Sequence, residues 1–253
     1  MALADRPLPP QQRAGPELRA DSTREPLVLT VPGLNNSGPA HWQTLWEQQR
    51  SDCRRAELGM WDKPHRNTWV NKLNLAIRNA DRPVVLAAHS LGCIAVAWWA
   101  HFEGREAASR VAGALLVAPP EVDFFPLDPR LETFAPTPSH ELPFPSILVG
   151  SRNDPYMGFR TAQRLAKAWG SRFADAGASG HINADSQLGD WQFGRFLLGQ
   201  LLKRPSPVRQ DAVGDGAATG GASRYAHGRE ALPVETPAPP GSATSGPERH
   251  EHH

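Results

Sequence analysis

The sequence predicts an α/β fold in which about six parallel strands form one sheet with helices on both of its faces. Short apolar runs alternate along the chain with longer segments whose apolar residues recur every three or four positions. Strands that alternate with helices are joined by right-handed crossovers, which place the strands parallel to one another. The chain has no internal repeat, so we expect a single three-layer domain without a cap domain.

Most of the predicted strands are apolar along their whole length, as expected where a parallel sheet is buried on both faces. The first, LVLTV, ends at the turn-forming pair Pro32-Gly33. Two of the runs, AELGM and RFA, are weaker because each contains a charged residue. In chain order, the predicted strands cover residues 27–31, 56–60, 84–88, 112–118, 146–149 and 172–174.

The predicted helices fall between these strands and show apolar residues at helical spacing. Trp69, Leu73 and Ile77, for example, lie four residues apart and therefore share one helix face. In chain order, the predicted helices cover residues 40–50, 67–79, 91–102, 161–169 and 191–203.

Composition sets the predicted limits of the domain at residues 26–203. The segment 204–253 contains seven prolines, seven glycines and few bulky apolar residues, which are too few to offset the entropy of the chain. The segment 1–25 mixes acidic residues, arginines and prolines, and it lacks the apolar run of a secretory signal. We therefore expect disordered tails at 1–25 and 204–253.

The charge balance excludes two classes of partner. Lys and Arg number 27 against 26 Asp and Glu, which gives no electrostatic basis for binding nucleic acid or an anionic membrane. No run approaches the roughly 20 apolar residues that a membrane span needs.

The two cysteines, Cys53 and Cys93, have no metal-site spacing and favour a reducing compartment. The expected location is the cytoplasm.

The strongest chemical signal is the sequence Ala88-His89-Ser90-Leu91-Gly92, where an apolar strand meets an apolar helix at a serine. A strand–turn–helix of this kind is a nucleophile elbow, which lifts the serine hydroxyl above the sheet and needs small residues two positions to either side. Ala88 and Gly92 meet that size requirement. The alternative is that Ser90 only caps the helix, as serines commonly do.

A serine nucleophile needs a base, and the base needs an acid to orient it. Asp154 follows the predicted strand 146–149, and His181 follows the last strand and precedes the final helix. The order serine, acid, histidine is typical of the α/β-hydrolase fold, and both residues are predicted at the carboxyl ends of strands. Asp123, just after the strand 112–118, is the second candidate acid.

Two backbone N–H groups are the candidates for an oxyanion hole. One belongs to Leu91, directly after the nucleophile, and the other to Leu34, in the loop after the first strand. Gly33 lets the backbone of that loop approach a ligand closely. The alternative is a Gly- and Asn-rich turn without a catalytic role.

The proline-rich segment 119–145 is the longest stretch without a predicted element. Loops of this length in compact domains are often functional. Because it follows the carboxyl end of a strand, we expect it near the site. Four aromatic residues, Trp61, Phe124, Phe125 and Tyr156, are candidates for lining an apolar pocket, or alternatively for packing in the core.

Six separate stretches of the chain carry a family resemblance: VPGLNNSGPAHW (31–42), WDKP (61–64), WV (69–70), HSLG (89–92), APP (118–120) and SRNDPY (151–156). Together they resemble the small serine hydrolases of the retinoblastoma-binding-protein-9 (YdeN) type. This resemblance implies a capless domain, a Ser90–Asp154–His181 triad and hydrolysis of small esters without a cofactor or metal. It does not imply binding to retinoblastoma protein. The Leu-x-Cys-x-Glu pattern that binds the pocket of that protein is only half met at Leu91–Ala95.

Other functions remain open from the sequence. The expected partner is a small-molecule acyl substrate, with an ester as the first expectation. The same triad also serves amidases, peptidases and thioesterases, so these activities are the first alternative. A binding module that keeps the fold without catalysis is the second alternative.

Overall fold

The structure, a computed structural model, describes residues 25–123 and 128–203, apart from the side chains of 106–108. Apart from Glu25, the predicted tails lie outside these residues, as do Phe124 and Phe125. Within the described residues there are six strands: β1 Leu27–Val31, β2 Cys53–Arg55, β3 Val84–His89, β4 Val111–Val117, β5 Ser146–Gly150 and β6 Arg172–Asp175. They form one fully parallel sheet in the order β2-β1-β3-β4-β5-β6. The α/β prediction is confirmed.

In the part of the chain that the structure describes, five helices cover the two faces of the sheet: α1 Trp42–Gln49, α2 Arg66–Arg78, α3 Leu91–Ala108, α4 Phe159–Ala168 and α5 Gln192–Leu202. Alternate strand residues face opposite layers. Leu29 and Leu86 belong to one hydrophobic cluster with residues of α2, α3 and α4, and Val28 and Val85 belong to a second with residues of α1 and α5. The described residues therefore form a three-layer sandwich.

The predicted strand at 56–60 is wrong, since the second strand lies just before it at Cys53–Arg55. Ala56 and Leu58 are fully buried, but they belong to a loop whose backbone turns at Gly59 and Met60, both with positive φ. Their apolar spacing therefore reflects packing of a loop into the core. The true strand is polar because it is an edge strand, paired only with β1.

Helix α3 also differs from its prediction. It runs to Ala108, but Gly104 has φ 67° and ψ −167°, which no α-helix contains. The predicted end at residue 102 therefore lies close to this break. No helix within residues 25–123 and 128–203 has the length and apolarity needed to cross a membrane.

Within its described residues, the segment 119–145 contains a short 3-10 helix at Pro129–Phe134 and no inserted domain. Leu131 and Phe134 are buried, and the indole N–H of Trp98 donates to the Phe134 carbonyl at 2.7 Å. These contacts hold the segment against α3, at the carboxyl edge of the sheet.

Candidate active site

Ser90 occupies a tight turn between β3 and α3. Its φ of 53° lies in the left-handed region that non-glycine residues rarely adopt. Hydrogen bonds hold this conformation: Ser90 N–H donates to the Val117 carbonyl at 2.9 Å, and Cys93 N–H donates to the Ser90 carbonyl at 2.9 Å. The strained turn points the Ser90 hydroxyl at the carboxyl edge of the sheet, where the later loops gather.

Two glycines let the first strand's loop pack directly on this turn. A Cβ at Gly92 would lie 2.2 Å from the Val31 carbonyl oxygen, which no side chain tolerates. A Cβ at Gly33 would lie 2.8 Å from the Ser90 Cβ. Both positions therefore require glycine for steric reasons, and the same close approach brings the Leu34 loop against the nucleophile.

The structure brings together the three residues predicted to act as nucleophile, base and acid. Ser90 Oγ lies 2.9 Å from His181 Nε2, and His181 Nδ1 lies 3.0 Å and 3.1 Å from the two Asp154 carboxylate oxygens. A carboxylate only accepts hydrogen bonds, so Nδ1 carries the imidazole proton and Nε2 accepts from the serine hydroxyl. The side chains of His181 and Asp154 are 10% and 3% exposed.

The second candidate acid lies elsewhere. Asp123 accepts a hydrogen bond from the Thr137 backbone N–H at 2.5 Å, which ties together two parts of the 119–145 segment. Cys93 is fully buried behind the elbow with its Sγ 3.4 Å from the Val117 carbonyl, and burial raises the pKa of its thiol. It is therefore a core residue and no rival nucleophile.

Residues beside Asp154 bind the acid loop to the histidine loop. Asn153 Oδ1 accepts from the Gly180 N–H at 2.7 Å, and Ser151 Oγ accepts from the Ser179 N–H at 2.9 Å. These bonds fix the backbone on the N-terminal side of His181. Sequence reasoning missed both side chains, and their only signal was a cluster of polar residues immediately before Asp154.

On its other side, the histidine loop is held by two buried rings. His89 Nε2–H donates to the His181 carbonyl at 2.9 Å, and the Trp42 indole N–H donates to the Ile182 carbonyl at 3.0 Å. Burial is the main cause that holds the pKa of His89 well below its usual value, and the nearby His41 and His181 lower it further. His89 is therefore a neutral donor, a role that the sequence did not reveal.

The two predicted oxyanion donors belong to the elbow and to the loop that faces it. Leu91 is the first residue of α3, and the first N–H groups of a helix have no partner within it. In the facing loop, the Asn35 and Asn36 N–H groups donate to the Trp61 and Gly33 carbonyls. Among the described loop bonds none uses the Leu34 N–H, and Leu34 borders the same cleft as Ser90. The arrangement is compatible with an oxyanion hole.

A partly buried arginine holds this loop in place. Arg55 Nη1 donates to Asn36 Oδ1 at 3.1 Å and to the Ser37 carbonyl at 3.2 Å. Its Nη2 donates to Thr44 Oγ1 at 2.6 Å and forms an ion pair with Glu47 at 2.8 Å. Arg55 belongs to β2 and thus connects the loop to both β2 and α1. The sequence pattern did not identify this arginine, because it did not predict the polar edge strand that carries it.

The cleft above Ser90 has a volume of about 280 Å³. The segment 119–145 supplies part of its wall, as expected, through Pro120, Leu131 and the ion pair of Asp128 with Arg130. Tyr156 also lines the cleft, whereas Trp61 packs against Trp69 with the ring centroids 5.5 Å apart. Of the aromatic residues predicted to line the pocket, Tyr156 is the one that borders the cleft among the described residues.

His41 borders the cleft and is the N-cap residue of α1. Its Nδ1 accepts from the Gln43 N–H at 3.2 Å, and its buried Nε2 has no hydrogen-bond partner among the described residues. Burial, with smaller effects from Arg55 and His181, lowers the pKa of His41 from 6.5 to about 4. His41 is therefore neutral in the folded protein at physiological pH.

The low pKa of His41 predicts that the protein loses stability in mild acid. Between pH 6.5 and 4 the unfolded chain binds a proton at this histidine and the folded chain does not, so the free energy of unfolding falls as the pH falls. With 1.36 kcal/mol for each pKa unit, the part of the loss that is due to His41 is about 3 kcal/mol. Urea denaturation at several pH values measures it.

The His41→Asn variant keeps an N-cap acceptor and removes the titrating ring, so it should lose less stability over this pH range. The exposed N-cap histidine of α2, His65, provides the matched control, and His65→Asn should retain the wild-type pH dependence. An unchanged pH dependence in His41→Asn would contradict the prediction.

Comparison with known proteins shows that this chain is similar to one protein family and to several solved structures. The model of a family described as "Serine hydrolase" matches residues 28–200. A YdeN-like hydrolase from Pectobacterium atrosepticum is 32% identical, with a TM-score of 0.63 over 71% of this chain and 92% of that one. No curated protein sequence matches the chain significantly.

Two more distant structures share the fold alone. The ydeN gene product from B. subtilis is 19% identical, with a TM-score of 0.58 over 70% of this chain and 98% of that one. Esterase 2 from Thermogutta terrifontis is 15% identical, with a TM-score of 0.52 over 76% of this chain and 89% of that one.

Proposed function

The chain belongs to the serine hydrolase family, and on that basis we propose that it hydrolyses small acyl esters through a Ser90–His181–Asp154 triad. One observation carries the proposal: the continuous hydrogen-bonded chain from Ser90 Oγ through His181 to the Asp154 carboxylate, with contacts of 2.9 and 3.0 Å. This is the geometry in which a base activates a nucleophile and an acid orients the base.

In the proposed reaction, Ser90 Oγ attacks the acyl carbonyl carbon while His181 Nε2 accepts the hydroxyl proton. The carbonyl oxygen becomes an oxyanion, which the N–H groups of Leu91 and Leu34 stabilise. Collapse of this intermediate breaks the ester bond, and the alcohol leaves with the proton from His181. Water then attacks the acyl-enzyme with His181 again as base, which releases the acid and restores Ser90. These steps call for no cofactor.

The cleft supports a small substrate. Its volume of about 280 Å³ falls just below the usual range of roughly 300–1,000 Å³ for pockets that hold drug-sized ligands. Its wall carries amide and charged groups, including Asn35, Asn183 and the Asp128–Arg130 pair, beside the apolar Leu34 and Leu131. A short acyl group fits this mixed lining better than a long lipid chain does.

Labelling with a fluorophosphonate tests the proposal. We expect the wild-type protein to form a covalent adduct, which mass spectrometry of its peptides locates on Ser90, because only an activated serine reacts. A folded wild-type protein that stays unlabelled would rule out the enzyme and favour the non-catalytic binding module. Turnover of an ester, a thioester and an anilide with the same acyl group then separates the esterase from its two catalytic alternatives.

A further inference from the structure

Two aromatic rings contact the imidazole of His181. The centroid of the Tyr156 ring lies 4.5 Å from that of His181 with 55° between the planes, and the centroid of the His89 ring lies 4.9 Å away with 60°. His89 is buried and is engaged in its hydrogen bond to the His181 carbonyl. Tyr156 is 41% exposed and borders the cleft, so packing of the core does not account for its position.

The backbone of Tyr156 is tied to the same group. Its N–H donates to Asp154 Oδ1 at 2.9 Å, on a carboxylate that also accepts from His181 Nδ1. One residue therefore contacts both the acid and the base.

The chemistry of the triad gives this contact a consequence. In both halves of the proposed reaction His181 becomes an imidazolium, and its side chain is only 10% exposed to water that could solvate the charge. The π face of an aromatic ring attracts a cation within about 6 Å of its centroid, and it does so more strongly where water is excluded. Tyr156 satisfies the distance criterion.

We propose that Tyr156 is a positioning residue whose ring stabilises the imidazolium form of His181 and holds the imidazole between Asp154 and Ser90. The proposal rests on the proposed function, because only the hydrolase reaction requires a charged His181. It assigns to this tyrosine a part in catalysis beyond that of a residue lining the cleft.

The other charged and titratable groups around His181 do not obscure this effect. Asp154 is its hydrogen-bonded acid, and Asp128 on the rim is paired with Arg130 at 2.5 Å. The pKa of His41 is lowered to about 4 and that of His89 lies well below its usual value. Both neighbours are therefore held in the neutral form near neutral pH, and the ring protons of His181 are followed by their own resonance.

The test is the pKa of His181 in Tyr156 variants, measured by NMR titration of its ring protons. The chain has 10 histidines, and comparison with His181→Gln identifies the resonance. In Tyr156→Leu we expect the pKa of His181 to fall by roughly half a unit and kcat/KM on a short ester to fall about threefold. Tyr156→Phe should keep the pKa of His181 close to the wild-type value, and Tyr156→Trp should keep or raise it.

The direction of the change separates this role from simple shielding. Removing a ring that only excludes water would raise the pKa of His181, because better solvation favours the charged imidazole. A rise or no change in Tyr156→Leu therefore overturns the proposal. The control is Phe196→Leu, which removes an exposed ring from α5 and should leave both readouts unchanged.

Failure of this proposal and failure of the proposed function give different results. If the wild-type protein is labelled by the fluorophosphonate but Tyr156→Leu does not lower the pKa of His181, only the role of Tyr156 is wrong. If the wild-type protein is not labelled, the hydrolase function is wrong. The NMR titration needs no turnover, so it remains informative for each variant, including Tyr156→Trp if the leucine variant does not fold.

Discussion

We expect the Ser90→Ala variant to lose about 10⁶-fold in kcat on a short ester, because it lacks the hydroxyl on which the proposed acyl-enzyme forms. The oxyanion donors and the cleft remain, so a small residual rate over the uncatalysed reaction should persist. Alanine also fits the elbow, since it is smaller than serine and leaves the bonds of the turn to the Val117 carbonyl intact. The loss should therefore appear in turnover and not in thermal stability.

A matched control separates loss of the nucleophile from loss of a buried serine. Ser146 is buried like a core residue and its Oγ lies 2.6 Å from that of Ser171, away from the cleft. The Ser146→Ala variant should keep kcat within about twofold of the wild-type value. If Ser90→Ala kept more than about 1% of the wild-type kcat while folded, the nucleophile would have to be another residue.

The second large effect is expected for Asp154→Asn, which should lower kcat about 10⁴-fold. The amide NH₂ of asparagine donates where the carboxylate accepts, so it favours the tautomer of His181 that carries its proton on Nε2. In that tautomer His181 cannot take the proton of Ser90. Initial rates across a range of ester concentrations measure kcat and KM separately, and KM should change little because Asp154 does not face the substrate.

Asp123→Asn is the matched control, since Asp123 is the other acid that follows a strand of the sheet. It accepts a hydrogen bond from the Thr137 backbone N–H, and the asparagine oxygen can accept the same bond. Its kcat should stay within about twofold of wild type. A large loss in Asp123→Asn together with a small loss in Asp154→Asn would show that the acid was assigned wrongly.

Much of the site could be predicted because its signals are local. The elbow needs small residues at 88 and 92 around Ser90, and both are visible in five consecutive letters. Asp154 and His181 follow from chain order once the strands are placed, since the carboxyl ends of parallel strands meet at one edge. The structure places all three side chains in a single hydrogen-bonded chain.

The groups that hold the site could not be predicted in this way. His89 supports a carbonyl 92 residues later in the chain, and Arg55 bonds to a loop 18 and 19 residues before it. Neither residue belongs to a spacing pattern, because a hydrogen bond between distant segments depends on which strands are neighbours. The misplaced second strand has a similar origin, as burial of a loop produced an apolar pattern like that of a strand.

By itself, the sequence determined the α/β class, the strand–serine–helix turn and the order of serine, acid and histidine. These properties depend on residue size and hydrophobic period over a few neighbouring positions, which the amino acids carry with them wherever the chain folds. Only the tertiary structure decided that the Tyr156 ring lies against His181, that Arg55 fixes the Leu34 loop, and that His41 and His89 stay neutral. Those properties arise from distances and burial between segments far apart in sequence, which exist only once the sheet has set the positions of its loops.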